Sequence, residues 1–430
     1  MIWKLLKKRA GITAANKNHA VTALPLDFLK KLIPIGELSA DELLALKSTL
    51  RSFEEGEVVF GRGDVSSELI YLYEGEIYLE SVNGNGYLVD ASTFKACYPL
   101  STSTEQRLTA IARSSAKVVY LPLSVLKRSS AAAFVNKPLI TPTDVPPSLQ
   151  NSGFFKGFCE AIKYDQLVVP TLPDVALQLR KALQNEIGVA DVVKIINLDP
   201  VISSKLIQVV NNPVYRAHKA ITNTQDAVLR LGMHTTQNIV TGISLNNLFH
   251  SRDKRLNDRI KRIWQQSIQV ASISCTLASL NRKINPDEAL LAGLVHKIGI
   301  LPILAYAENR GNERYTEEEL DQTISLLQGR VGEFILQKWS FPNAMRSIPS
   351  QAANWYHDNA SGIQLSDIVI LARFHSELGD LRSQNLPPIN TLPAFQKLGD
   401  NALTPEMSLQ ALADAKQQIA ETLSLFKNQT

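Results

Sequence analysis

The chain has 430 residues, 45% of them hydrophobic and 20% charged, with a formal net charge of +4. That length exceeds one ordinary core and predicts two or three domains of globular composition. So small a charge points to neither a nucleic-acid binder nor an enzyme of acidic substrates. Cys97, Cys159 and Cys275 form no C-x-x-C pair, which argues against zinc ribbons and redox motifs and fits a reducing cytoplasm. No uninterrupted apolar run reaches the ~20 residues that cross a bilayer, so no integral membrane contact is expected.

Residues 1–35 read as an N-terminal helical segment. It opens with MIWKLLKKRAG, basic and amphipathic, without the apolar core or cleavage site of a signal peptide. A docking or frayed helix is the plain reading, and contact with an anionic membrane surface the sharper one. The helical pattern continues through PLDFLKKLIPIGELSADELLALKSTL, where Ser39 and Glu42 form a capping-box signature. From Glu54 to about Leu123 the period changes to two. Short β-branched and aromatic runs such as ELIYLYEGEIYLESV and AKVVYLPL alternate with glycine turns, which predicts a small antiparallel β-roll or barrel over residues 36–125. Four prolines between Ala131 and Gln150 argue against helix or sheet and predict a linker over 126–153. The helical period returns after Phe154 and predicts an all-helical domain over 154–380. A C-terminal extension, 381–430, contains an amphipathic helix from about Pro405 to Phe426. The fold class is therefore α+β and multidomain.

The stretch FEEGEVVFGRGDVSSELIYLYEGEIYLES, with Gly56, Gly63-Asp64, the strand Leu69–Leu72 and the Gly75 turn, resembles the first half of a cyclic-nucleotide-binding β-roll. The resemblance implies a ligand site built from a Gly-Glu pair, a short helix, and an Arg followed by a small hydroxyl residue and Ala. The Arg and helix amides would hold the cyclic phosphate and the Glu the ribose hydroxyl. Here the segment is FKACYPLSTSTEQRLTAIARS. No Gly-Glu precedes Pro99-Leu100, and Leu108 separates Arg107 from Thr109-Ala110. Arg107 and Thr109 are the candidate ligand-binding residues. A docking or dimerising module is the alternative.

Farther on, Leu172-Pro173, Asp199-Pro200, Lys205-Leu206, Asn211, Tyr215, Ala227, Leu231-Gly232 and LAGLVHKIGIL follow one another in an order that resembles the HD-related output domain, HDOD, of bacterial signalling proteins. Taken singly each has a plain role: Asp199-Pro200 is a helix start and Gly232 a helix end. The resemblance implies a helical bundle related to metal-dependent phosphohydrolases. Those carry a His on one helix, a His-Asp pair on the next and a further Asp on a later one, converging on divalent metal that activates water.

At the corresponding positions this chain has Gln266, then His296-Lys297, then Arg373. Lys and Arg have no lone pair to give, so the resemblance implies a degenerate site: no catalytic residues, no metal and no cofactor. His296 is expected to be a buried, hydrogen-bonded histidine. Lys297 either pairs with an acid such as Glu333 or faces solvent at the mouth of the site. The basic run RDKRLNDRIKRIW, residues 252–264, reads as a solvated face or a surface for an acidic partner. The expectation is a cytoplasmic, non-catalytic signalling protein with protein partners, in which the β-roll controls the helical output by a population shift. A homodimer and a cyclic nucleotide stay open as further partners. The alternatives are a phosphohydrolase or phosphodiesterase with atypical ligands and a non-catalytic cyclic-nucleotide receptor.

Overall fold

The strands Glu68–Glu74 and Ala116–Pro122 explain the apolar runs of the first unit, because each is buried on both faces. Ile70, Leu72, Val118 and Tyr120 point into one core, while Leu69, Tyr71, Val119 and Leu121 point into another. A strand covered on both faces loses the alternation of a half-exposed one and reads as a continuous apolar run.

The computed structural model describes residues 20–21, 24–38, 40–80, 86–102, 105–125, 145–185, 187–212, 215, 220–311, 315–358, 362–378 and 386–398. They fall into two units. One takes in the described residues up to 125 together with Pro387–Gln396, and the other those from 145 to 386 with 397 and 398.

In the first unit eight strands are labelled in order: β1 Ala20–Val21, β2 Thr49–Phe53, β3 Val58–Phe60, β4 Glu68–Glu74, β5 Glu76–Glu80, β6 Gly86–Asp90, β7 Thr109–Ala112 and β8 Ala116–Pro122. They form two four-stranded sheets, ordered β1-β2-β8-β4 and β3-β7-β5-β6, with every pairing antiparallel. This is the β-roll the sequence predicts. Phe60, Leu72, Ile77 and Val118 fill the space between the sheets. Leu29, Leu32, Ile35 and Leu43, from the chain before β2, cover the outer face of β4 and β8.

Two details correct the helical reading of the N-terminal region. Ala20–Val21 is a strand, with Ala20 opposite Leu50 and Val21 opposite Thr49. The apparent helical pattern that ended at Leu50 ends sooner, because β2 pairs with β8 from Thr49 to Phe53. Sheet pairing here overrides a local period that only isolated chain would follow. The Ser39 cap lies outside the described residues; the helix after it runs Ala40–Leu44.

The second unit is helical. Its principal helices are α1 Gly153–Lys163, α2 Asp174–Gln184, α3 Val189–Ile196, α4 Pro200–Val210, α5 Thr224–Leu231, α6 Met233–Leu245, α7 Lys254–Asn281, α8 Pro286–Val295, α9 Ile300–Arg310, α10 Glu317–Lys338 and α11 Leu365–Glu377. Short turns of helix also occur, one of them Pro147–Gln150, inside the segment read as linker. Its Pro sits in the first helical turn, where a missing N–H is harmless. The expected Asp199 cap is present: its carboxylate accepts from the Val201 and Ile202 N–H groups at 2.8 and 3.1 Å. Gly232, at φ 78°, separates α5 from α6, as its plain reading as a helix end implies. The helix expected over Pro405–Phe426 lies outside the described residues.

By length and composition alone Pro286–Arg310 could cross a membrane, yet 83% of its most apolar window is buried inside the bundle. It is the α8–α9 core pair, joined by a turn at residues 296–299.

Candidate functional site

Two close approaches fix that turn. A side chain on Gly293 would meet the Ala271 Cα of α7 at 2.4 Å, and one on Gly299 would meet the Gln328 carbonyl oxygen of α10 at 1.9 Å. The stripe of α7 that carries Ala271 is small: Ser267, Ala271, Ser274 and Ala278 recur at helical spacing and are buried. His296 and Lys297 lie between these two contacts, so the helix packing sets their position.

His296 is 4% exposed. Its Nδ1 lies 2.6 Å from the Gly293 carbonyl oxygen. A carbonyl only accepts, so Nδ1 carries the proton and Nε2 the lone pair. Among the described residues Nε2 is buried and meets no donor. Burial first, and the Lys297 charge second, push the imidazole down to about 3; Arg373 adds a smaller push, and the Gly293 carbonyl opposes it.

Lys297 donates from Nζ to the Gln266 Oε1 at 3.2 Å. Its ammonium is held below the ordinary range by burial and then by the Arg373 charge, with Glu377 opposing. Glu333, the acid suggested for it, instead accepts from the Ser350 hydroxyl at 2.9 Å. Lys297 is therefore neither acid-paired nor fully solvated.

Arg373, on α11, is anchored. Its Nε donates to Glu377 Oε1 at 2.9 Å. Its Nη1 donates to the carbonyls of Ala352 and Ala353 at 2.8 and 3.2 Å. The guanidinium also lies 3.8 Å over the Trp355 ring.

All four positions singled out in sequence, Gln266, His296, Lys297 and Arg373, line one cavity of about 550 Å³. The cavity also takes in Arg259 and Arg262, from the basic run read as a solvated or partner-facing surface, and Asp321, which no motif singled out. The signal was available: Arg259, Arg262 and Gln266 follow at spacings of three and four on one helix and so share a face. The basic run they belong to is partly committed inside the protein. Arg255 and Arg259 both pair with Glu317, Arg259 also pairs with Asp321, and Trp264 is buried against Phe249. The acids belong to the start of α10, where Thr316 and Glu319 form a capping box. Among the described residues no three His, Cys, Asp or Glu side chains converge as a metal site would require.

In the β-roll, Arg107 and Thr109 take different partners. Thr109 begins β7, and its hydroxyl accepts from the Arg62 N–H at 3.4 Å. Arg107 donates to the Gln396 carbonyl at 3.0 Å. That carbonyl belongs to Pro387–Gln396, the segment that rejoins the first unit. Gln396 Nε2 donates to the Thr102 hydroxyl at 2.6 Å, Thr102 donates to the Thr391 carbonyl at 2.8 Å, and the Tyr87 hydroxyl donates to Asn390 Oδ1 at 3.0 Å.

Comparison with known proteins places this geometry. The family described as the HDOD domain matches residues 169–354. A crystal structure of a candidate metal-dependent phosphohydrolase from Shewanella amazonensis is 26% identical, with a TM-score of 0.54, and covers 64% of this chain and 98% of its own. A candidate cyclic-nucleotide-binding protein from Geobacter metallireducens is 18% identical over 26% of this chain and 84% of its own, with a TM-score of 0.21. An uncharacterised protein of Treponema pallidum (strain Nichols) is 24% identical over 189 residues, 40% of this chain. The match spans 35% of that curated relative's length. Residues 169–354 of this chain are an HDOD domain, joined to an N-terminal antiparallel β-roll.

Proposed function

We propose that the chain is a non-catalytic regulatory protein whose HDOD domain acts by protein contact, under the influence of the β-roll. One observation carries this reading: the positions at which the phosphohydrolases present a His and two carboxylates hold Gln266, Lys297 and Arg373, gathered on one cavity. Two of these three side chains are cations without a lone pair. At ~4 Å and an effective dielectric near 20, each would repel a unit of metal charge by on the order of 4 kcal/mol. Arg373 is moreover held away from any ligand role by Glu377, Ala352, Ala353 and Trp355.

The β-roll fits a docking module better than a nucleotide receptor, because its Arg107 already donates to the Gln396 carbonyl. Three cysteines held as free thiols fit a reducing, cytoplasmic setting. Input would shift the balance between arrangements of the two units, and partners would read the result.

The test is turnover. Purified full chain, offered phosphomonoesters and phosphodiesters with manganese, iron or zinc, is expected to release no product above the uncatalysed rate. Chelator-sensitive hydrolysis that disappears in His296→Ala would reject the proposal. It would favour the second reading, a phosphohydrolase with atypical ligands, which the Shewanella amazonensis likeness supports.

A further inference from the structure

Four cations, Arg259, Arg262, Lys297 and Arg373, line the HDOD cavity, against one carboxylate, Asp321. Two of the four are answered within the protein: Arg259 by Asp321 and Glu317, and Arg373 by Glu377. The other two are not. Among the described residues Arg262 donates only to the Asp258 carbonyl, at 3.4 Å, and Lys297 only to the Gln266 amide oxygen, at 3.2 Å. A half-buried ammonium beside other cations is unfavourable in the empty protein, and an arriving anion removes the penalty.

A second observation is independent of charge. His296 lines the same cavity, is 4% exposed, and has a buried Nε2 that meets no donor among the described residues. Because Nδ1 is committed to the Gly293 carbonyl at 2.6 Å, Nε2 offers a lone pair, and a lone pair buried without a donor is costly. The ligand that satisfies both features carries anionic oxygens and, apart from them, an O–H or N–H. The cavity volume of about 550 Å³ lies within the range of small-molecule sites and far exceeds what a bare anion fills.

We infer that this cavity binds a phosphate monoester of nucleotide size, its phosphoryl oxygens held by Arg262 and Lys297 and a donor of its organic part received by Nε2 of His296. A monoester carries close to two negative charges at neutral pH, which suits the half-buried Lys297 and the solvated Arg262, two cations with no ion pair among the described residues. A guanidinium fork also fits phosphoryl oxygens better than it fits most anions. Ser325 and Gln328, also on the wall, supply neutral polar groups for the rest of the ligand. The inference rests on the reading that no metal occupies the cavity, and it names what occupies the cavity instead.

The experiment is calorimetric titration of the full chain with adenosine 5′-monophosphate, inorganic phosphate and adenosine, each with and without a chelator. The expected result is binding of the monophosphate, at least about tenfold weaker binding of inorganic phosphate, and none of adenosine. The double variant Arg262→Gln/Lys297→Gln, altered at an exposed and a half-buried position, is expected to lose at least about tenfold in affinity for both phosphates. His296→Ala is expected to remove the advantage of the monoester over inorganic phosphate while leaving phosphate binding itself. Absence of monophosphate binding at about 10 mM, weaker than any ordinary affinity, overturns the inference, as does an affinity unchanged in the double variant. If binding survives the chelator but ignores the double variant, this inference fails alone and the non-catalytic reading stands. If binding disappears with the chelator, a metal holds the anion and both fail.

Discussion

Arg107 in the β-roll and Lys297 in the helical unit are both cations at places where the family resemblances put a binding site, and the protein treats them oppositely. Arg107 is exposed and donates to a carbonyl of its own chain, Gln396, at 3.0 Å. Lys297 is half-buried, donates to a neutral amide, and stands close enough to Arg373 for that charge to depress its ammonium, with Glu377 opposing more weakly. An exposed cation is solvated and needs no acid. A desolvated one beside a like charge is destabilising unless something outside the protein answers it. The β-roll site is closed by the chain itself, and the HDOD cavity is left open.

The contrast can be broken most forcefully at the turn that builds the cavity. Gly299→Val would drive a side chain into the Gln328 carbonyl, 1.9 Å from where its Cβ would lie. A cost of about 3 kcal/mol or more is expected, as loss of the helical unit's thermal transition with that of the β-roll retained.

Acid should separate the units next. The imidazole of His296 is held at about 3 when folded, against an ordinary value of 6.5. Between those values the unfolded chain binds the proton and the folded chain does not, so stability falls as pH drops below 6.5. The loss is on the order of 2 kcal/mol by pH 5. The described residues of the β-roll include no histidine. Denaturant titrations at pH 7.5 and pH 5, both ordinary buffer conditions, should therefore show the helical unit weakened far more than the roll.

A smaller effect of the opposite location is expected for Gln396→Ala. It removes the donor to the Thr102 hydroxyl, a buried group, and should cost the β-roll unit about 1 kcal/mol while leaving the helical unit unchanged. The smallest effect has the opposite sign. Lys297→Met removes a desolvated charge that donates only to a neutral amide among the described residues and is pushed down more by burial and Arg373 than Glu377 holds it up. It should raise the helical unit's melting temperature slightly, by up to about 1 kcal/mol of stability, while weakening phosphate binding. A fall in stability would mean that the protein itself answers Lys297.

What the sequence discloses follows from how local each feature is. Strands such as Glu76–Glu80 and helices such as Asp174–Gln184 carry their period in their own residues, and Asp199 announces its helix by cap chemistry alone. The proposal that Gln266, Lys297 and Arg373 stand where the family resemblance implies metal donors draws equally on sequence, because it needs only the order of motifs. The partners of those residues are not legible there. That Lys297 meets Gln266 and not Glu333, or that Arg373 bonds the Ala352 carbonyl, depends on helix packing fixed by Gly293 and Gly299. Pairing between distant segments is hidden for the same reason: Ala20–Val21 reads as helical until β2 is beside it, and nothing in Pro387–Gln396 announces its return to the roll.

On the function proposed here, side-chain chemistry at three positions keeps metal from the HDOD cavity. Elemental analysis tests it directly, on the full chain and on Gln266→His/Lys297→Asp/Arg373→Asp, both incubated with manganese, iron and zinc and then desalted. Essentially no metal is expected in the natural chain and about one ion per chain in the triple variant, where imidazole and carboxylate donors surround His296. Stoichiometric metal in the natural chain, lost in His296→Ala, would contradict it.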